Sequence, residues 1–302
     1  MNYKNVTIAG SGVLGSQIAF QTAFKGFNVT IYDIDDTAIA KAKERIAKLE
    51  DTYSDYFRDE QEAVKSAQSR ISYATVLADA VKDADLVIEA VPEIKEIKQS
   101  FYTQLGKVAP EKTVFATNSS TMLPSDFVEY TGRPEKFLAL HFANTIWKNN
   151  TGEVMEHPGT DPQVVQDLLA FAAAIGMVPL HIKKEQPGYI VNSLLVPFLD
   201  AAQSLWGNDV ADPETVDKTW MIATGAPLGP FAIMDVVGLQ TVYNIVSTKA
   251  AHHPNPDDNL YKRIADKVKT EFLDQGKTGT QTGEGFYKYP NPAYQAPDFL
   301  KP

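Results

Sequence analysis

His141 closes an apolar run, Leu138-Ala139-Leu140-His141-Phe142, and Glu153 follows twelve residues later. Asn118-Ser119-Ser120 comes after another apolar run at residues 114–116, Asn144 lies just past His141, and Asn192 is much further on. A histidine whose second ring nitrogen is held by a carboxylate is suited to accept a hydroxyl proton and return it, because the negative charge stabilises the imidazolium. That pairing suits the interconversion of an alcohol and a ketone. A lone histidine at a strand end serves equally well as a structural group, and His157, His181, His252 and His253 read that way. The sequence has no Cys and no H-E-x-x-H, and the adjacent His252-His253 fits a helix end or loop better than a metal site, so no metal is expected.

Gly10-Ser11-Gly12-Val13-Leu14-Gly15 fits G-x-G-x-x-G at the point where an apolar strand gives way to a helix. Asp33 ends the next strand, 18 residues after Gly15. In this arrangement Gly10 permits the tight turn, Gly12 lets the backbone approach a pyrophosphate, and Gly15 lets helix and strand pack closely. The amides that open the helix at Val13 and Leu14 favour phosphate charge. Asp33 can accept from both ribose hydroxyls and would repel a 2′-phosphate; with no Arg close behind it, the expected cofactor is NAD(H) rather than NADP(H).

These residues need a scaffold, and the first half of the chain supplies one. Short apolar runs at 6–9, 28–32, 71–73, 86–90, 114–116, 137–141 and 177–182 alternate with helical patterns at 13–25, 38–49, 95–108 and 162–175. Such alternation predicts a doubly wound parallel sheet, an α/β fold of Rossmann type, with ligands at the carboxyl ends of the strands. The polar stretch Lys183-Lys184-Glu185-Gln186-Pro187-Gly188 ends this pattern. Beyond it only helices are expected, at 189–206, 213–223, 230–250 and 260–275, followed by a tail with Pro290, Pro292, Pro297 and Pro302 extended over the surface. The expected domains are residues 1–186, binding NAD, and residues 187–302, helical.

The balance of 28 Lys+Arg against 38 Asp+Glu, a net charge of −10, argues against nucleic acid or an anionic membrane surface as the partner. No apolar stretch is long enough to span a bilayer, and the N-terminus runs straight into a strand with no signal segment, so the expected location is cytoplasmic.

Taken in order along the chain, the motifs resemble the L-3-hydroxyacyl-CoA dehydrogenase family, of 3-hydroxybutyryl-CoA dehydrogenase type. They are the glycine fingerprint, Asp33, Val87-Ile88-Glu89-Ala90-Val91-Pro92-Glu93 with Lys98, and Phe115-Ala116-Thr117-Asn118-Ser119-Ser120. Leu140-His141-Phe142 with Asn144 and Glu153, Pro187-Gly188-Tyr189-Ile190-Val191-Asn192, Gly225-Ala226-Pro227-Leu228-Gly229-Pro230-Phe231 and Gly283-Glu284-Gly285-Phe286-Tyr287 complete the series. The resemblance implies an NAD-dependent dehydrogenase that is a homodimer through its helical domain. It implies that His141 is the general acid/base, that Glu153 orients it, and that Ser120 and Asn192 bind the substrate oxygens with Asn144 in the same pocket. Glu93 and Lys98 would lie near the nicotinamide-side ribose, and Asn118 would join the cofactor residues.

Some segments depart from the family pattern. The stretch from Ala143 to Glu153 reads as a polar loop where the family has Phe-Asn-Pro and apolar residues, and the family's Asn-Arg pair becomes Asn192-Ser193. Between Glu50 and Glu62, where the family often supplies lysines to coenzyme A, six acids face only Arg58. These departures, with Ser119 to Pro124 and Trp147, resemble the diketoreductase-like bacterial branch. The first expectation is interconversion of short-chain 3-hydroxyacyl-CoA and 3-ketoacyl-CoA, as in fatty acid metabolism. The alternative is NADH-dependent reduction of β-keto or β,δ-diketo acids and esters without CoA. A non-catalytic NAD-binding structural or sensor protein is the second alternative, although such a protein would have no need of an acid–base pair.

Overall fold

The computed structural model describes residues 3–255 and 258–301. The chain divides into two compact units, Met1–Val191 and Asn192–Pro302.

The first unit is built on eight strands: β1 (Asn5–Ala9), β2 (Asn28–Tyr32), β3 (Ile71–Ala74), β4 (Leu86–Glu89), β5 (Val114–Thr117), β6 (Phe137–Phe142), β7 (Thr151–Met155) and β8 (Val178–Ile182). They form one sheet in the order β3-β2-β1-β4-β5-β6-β7-β8, parallel throughout except between β6 and β7. Its helices are α1 (Val13–Phe24), α2 (Asp36–Tyr56), α3 (Gln61–Ala67), α4 (Leu77–Val81), α5 (Lys95–Val108), α6 (Val128–Thr131) and α7 (Pro162–Ala174). Strands β4, β5 and β6 are buried at every position, as expected of strands covered on both faces. The strand order reverses between β1 and β4, and there the Gly10 turn leaves the sheet. Helix α1 is buried from Gly15 to Phe24, and α2 starts where the Asp35 carboxylate accepts from the Ala38 amide at 2.8 Å.

The polar stretch expected to run as a loop up to Glu153 does so only to Asn150. Residues from Thr151 onward form β7, which pairs antiparallel with β6 and parallel with β8, and every residue after Thr151 in it is buried. Two neighbouring strands make this segment a strand despite its Thr-Gly-Glu start. The loop before it is anchored: the Gln17 side-chain oxygen accepts from the Thr145 and Ile146 amides, and Trp147 packs on Tyr53.

The second unit contains α8 (Tyr189–Gly207), whose first turn belongs to the first unit, and α9 (Pro213–Thr224), α10 (Pro230–Val237), α11 (Leu239–Ala251) and α12 (Leu260–Glu271). The single helix expected over 230–250 is two helices. Gly238, at φ 96°, breaks the run, and α10 and α11 meet at 102°. Helix α12 stops at Glu271, short of the expected 275. Two buried carboxylates organise the unit. Asp217 accepts from the Phe231 and Ala232 amides that open α10 and from the Tyr287 hydroxyl. Asp235 accepts from the Phe286 and Tyr287 amides and the Tyr289 hydroxyl. The tail is more than a surface strap, because Phe299 is buried in this core beside Tyr287; Pro302 lies outside the described residues. Among the described residues no single helix is long and apolar enough to cross a membrane.

Candidate active site

At the end of β1 the backbone crowds itself. Gly10 has φ 99°, a Cβ on it would strike the Ala90 carbonyl, and a Cβ on Gly15 would strike the carbonyl of Gly10. A Cβ on Gly12 would meet nothing within 4 Å, and α1 has no side-chain cap, so its first amides face open space beside the turn. A cavity of about 680 Å³ adjoins them, lined by Gly10, Gly12 and Asp33 and walled by the apolar Ile34, Leu77, Ile97 and Phe101. Asp33 is held in place: its Oδ2 accepts from the Ser11 amide at 2.8 Å and the Ser11 hydroxyl at 2.5 Å, and its Oδ1 accepts from the Ile34 amide at 2.8 Å. Free amides for a pyrophosphate, a fixed carboxylate for ribose hydroxyls and an apolar slot for a planar base fit a dinucleotide. Of the other fingerprint residues, Val13 is exposed at the helix start and Leu14 packs on the core. The absence of a nearby Arg in the sequence does not carry over to the structure. Helix α2 brings Arg45 and Lys41 to a second cavity that also touches Asp33, because residues four apart share a helix face.

At the end of β4, Glu89 is fully buried and makes four contacts. Its Oε1 pairs with Lys98 Nζ at 2.5 Å and accepts from the Val91 amide, while Oε2 accepts from the Tyr102 and Thr117 hydroxyls. Lys98, 1% exposed, also lies 3.1 Å from Glu93 Oε2, so it is no ordinary surface lysine of a helix. The other Glu93 oxygen accepts from the hydroxyl of Ser119 and the amides of Ser120 and Thr121. Burial opposes the Glu93 charge, but the Ser119 hydroxyl and Lys98 outweigh it and hold the pKa below the usual carboxylate value. Glu89 has no assigned role in the sequence reading. Its signal there is a charged residue closing the apolar run Leu86-Val87-Ile88.

The loop braced by Glu93 delivers Ser120 to the catalytic pair. Ser120 Oγ lies 3.1 Å from His141 Nε2, and Glu153 Oε2 lies 2.8 Å from His141 Nδ1. The pair arises from strand register, since His141 and Glu153 are direct partners across β6 and β7. The other Glu153 oxygen accepts from the amides of Ile190 and Val191 in the first turn of α8. Burial works against ionisation of Glu153, yet these amides and His141 prevail and keep its pKa below the ordinary value. An ionised Glu153 only accepts, so Nδ1 carries the proton and Nε2 of the neutral ring is the free base facing Ser120. Tyr189, which nothing in the sequence marks as a site residue, stacks on His141 with ring centroids 4.3 Å apart and donates from its hydroxyl to the Ser119 carbonyl at 2.8 Å. It holds φ 56°, unusual for a bulky side chain, directly after the Pro-Gly pair.

The remaining expected site residues do not converge in the same way. Asn118 is buried and its side-chain oxygen accepts from the Phe142 amide, tying the end of β5 to β6. Asn144 is exposed in the β6–β7 connection, where its carbonyl accepts from the Asn149 side chain. Asn192 belongs to the second unit. The other histidines have local partners: His157 Nε2 bonds the Pro134 carbonyl, and His252 ends α11 with Nδ1 on the Thr248 carbonyl.

The same features place the chain among known proteins. It matches 3-hydroxyacyl-CoA dehydrogenase, NAD binding domain, over residues 5–186 and 3-hydroxyacyl-CoA dehydrogenase, C-terminal domain, over residues 188–289. It is similar to the mitochondrial hydroxyacyl-coenzyme A dehydrogenase of Homo sapiens, 33% identical over 298 residues that span 95% of this chain and 91% of that one. A solved diketoreductase, described for substrate-directed dual catalysis of dicarbonyl compounds, is 56% identical with a TM-score of 0.90, covering 96% of this chain and 100% of the other. The solved (S)-3-hydroxybutyryl-CoA dehydrogenase of Ralstonia eutropha is 28% identical with a TM-score of 0.80, covering 96% and 100%. With a dinucleotide turn after β1 and an imidazole–carboxylate pair across β6 and β7 of the same sheet, this chain belongs to the 3-hydroxyacyl-CoA dehydrogenase family and is an NAD-dependent oxidoreductase acting on CH–OH groups.

Proposed function

We propose that this enzyme interconverts 3-keto and L-3-hydroxy groups of short 1,3-dicarbonyl acids and esters without a CoA carrier. The observation that carries the chemistry is the imidazole of His141 held between Glu153 and Ser120. When bound, NAD(H) supplies the hydride exchange at carbon. In reduction, His141 gives the Nε2 proton to the carbonyl oxygen; in oxidation, the neutral ring takes it back from the hydroxyl. Glu153 stabilises the imidazolium between these events, and the Ser120 hydroxyl contacts the same oxygen. From the family resemblance, Asn192 keeps its expected role on the substrate oxygens and Asn144 its expected support of the pocket. Glu93 and Lys98 serve the cofactor side by fixing the Ser119–Thr121 turn and the end of β4.

Surface charge disfavours a CoA carrier. Glu50, Asp51, Asp55, Asp59, Glu60 and Glu62 lie on α2, α3 and their connection with Arg58 as the only basic residue among them, and the Lys25–Glu60 pair at 3.0 Å offsets only one acid. Such a surface raises the cost of bringing up a phosphate-rich carrier. The dicarbonyl chemistry named for the diketoreductase points the same way. The CoA thioester is the second reading, supported by the names of the curated relatives. NADH oxidation with acetoacetyl-CoA beside a matched acetoacetate ester separates the two: the ester should show the higher kcat/KM, and a strong thioester preference overturns the carrier assignment. With either substrate His141→Ala should lower the rate by roughly 10²–10⁴, and near-normal turnover would remove His141 from the mechanism.

The helical unit leaves Leu194, Val210, Ile222, Val236 and Ile245 exposed and has an apolar groove of about 430 Å³ bordered by Phe198, Leu205, Val216 and Trp220. Together with the family resemblance, this supports a homodimer formed through that unit. Light scattering on the purified chain should give twice the monomer mass.

A further inference from the structure

The cavity beside Asp33 has no part in the chemistry described above. It is about 230 Å³ and is bordered by Ser11, Asp33, Asp35, Thr37, Lys41 and Arg45. It shares Ser11, Gly12 and Asp33 with the larger adenosine-side cavity, so these three residues form the partition between the two. Lys41 and Arg45 stand one turn apart on α2, and among the described residues neither is in an ion pair. Arg45 Nη1 donates to the Ser11 carbonyl at 3.1 Å, and no other bond is made by its guanidinium among the described residues. Asp35 is engaged in capping α2.

We propose that Lys41 and Arg45 form a latent 2′-phosphate site that the Asp33 charge, added to that of Asp35, keeps closed. A ribose whose hydroxyls face Asp33 directs its 2′-oxygen at the partition, and a phosphate on that oxygen needs the smaller cavity. There it meets two cations and the Thr37 hydroxyl, but also Asp33 and Asp35, which cancel the formal charge. Removing the Asp33 charge leaves the cavity with a net positive charge, and Arg45 offers a planar fork of donors that suits phosphate geometry. Specificity in this enzyme therefore comes from repulsion placed over a site that is otherwise ready.

Binding of NADH and NADPH, followed by nucleotide fluorescence, tests this without a known substrate. The readout is the ratio of the two dissociation constants within each variant, so that a general loss of affinity cancels. Asp33→Asn keeps an acceptor for the Ser11 amide and should shift the ratio toward NADPH at least tenfold. Adding Lys41→Gln and Arg45→Gln should return most of that shift. A ratio unmoved by Asp33→Asn, or a shift that survives loss of both cations, overturns the proposal. Should Asp33→Asn fail to fold, the Lys41→Gln/Arg45→Gln pair in the otherwise unchanged chain decides: NADPH should weaken at least threefold relative to NADH, and an unchanged ratio overturns the latent site.

Discussion

Glu153 is placed by pairing rather than by proximity in sequence. Its charge fixes the tautomer of His141 and stabilises the protonated ring, so Glu153→Gln, which keeps size and hydrogen-bonding capacity, should lose roughly 10²–10⁴ in kcat. NADH affinity should stay within about twofold, because nothing on the Gly10–Asp33 side touches this residue; a parallel loss of both would mean that the substitution disturbs the sheet. At this scale the sequence was informative about types and poor about distances. His141, Ser120 and Glu153 read as an acid–base set only once the family resemblance joins them. That Lys98 is buried between two glutamates, or that Tyr189 covers the imidazole, required the fold, since a lysine on a helix and a tyrosine after Pro-Gly look like ordinary surface and turn residues.

The elements explain which parts of the scaffold could be read. Parallel strands buried on both faces are continuous apolar runs, so most appeared within a residue or two of their ends. β7 did not, because Thr151-Gly152-Glu153 is polar and becomes a strand only between β6 and β8. The break at Gly238 was hidden because the apolar pattern continues on both sides of it. Arg45 is twelve residues from Asp33 in the chain, a distance that the helical repeat of α2 erases. Where β1 meets α1 the structure makes a sharp demand. A methyl group at position 15 has no space against the Gly10 carbonyl, so Gly15→Ala should cost on the order of 1–3 kcal/mol and weaken NADH binding as the turn is pushed aside. Thermal unfolding with and without NADH measures both; an unchanged midpoint would show that α1 can move away from the sheet.

Across the whole molecule the carboxylates drawn out of solvent titrate oppositely in the two units, while the exposed Asp212 of the second has its pKa lowered by its bonds with Thr215. In the first, Glu93, Glu153 and Asp85 have pKa values below their ordinary ones: burial opposes the charge, and hydrogen bonds from side chains and backbone amides, with Lys98 beside Glu93 and Lys112 beside Asp85, overcome it. Their contribution is complete above the unfolded carboxylate range, near pH 4 to 4.5, and is lost as pH falls through the depressed values. In the second, burial raises Asp217 and Asp235 despite their hydrogen bonds, so their contribution is present below that range and is lost as pH rises through the raised values. Acidification should therefore unfold the first unit first. Trp147 reports on that unit and Trp206 on the other. Single-tryptophan variants should show the Trp147 emission change at the higher pH; coincident transitions would mean that the units unfold as one.

The grip of Glu153 on the first amides of α8 also bears on how divisible this protein is. The matched family segments part between residues 186 and 188, before Ile190 and Val191. A fragment cut at that seam would keep the nucleotide turn, the sheet and both members of the acid–base pair. It would lack the two backbone donors that occupy one oxygen of the carboxylate, and the aromatic ring that covers the imidazole. The catalytic half ends several residues beyond the recognisable module, so shuffling modules at the apparent joint would pass on cofactor binding while leaving a detuned base.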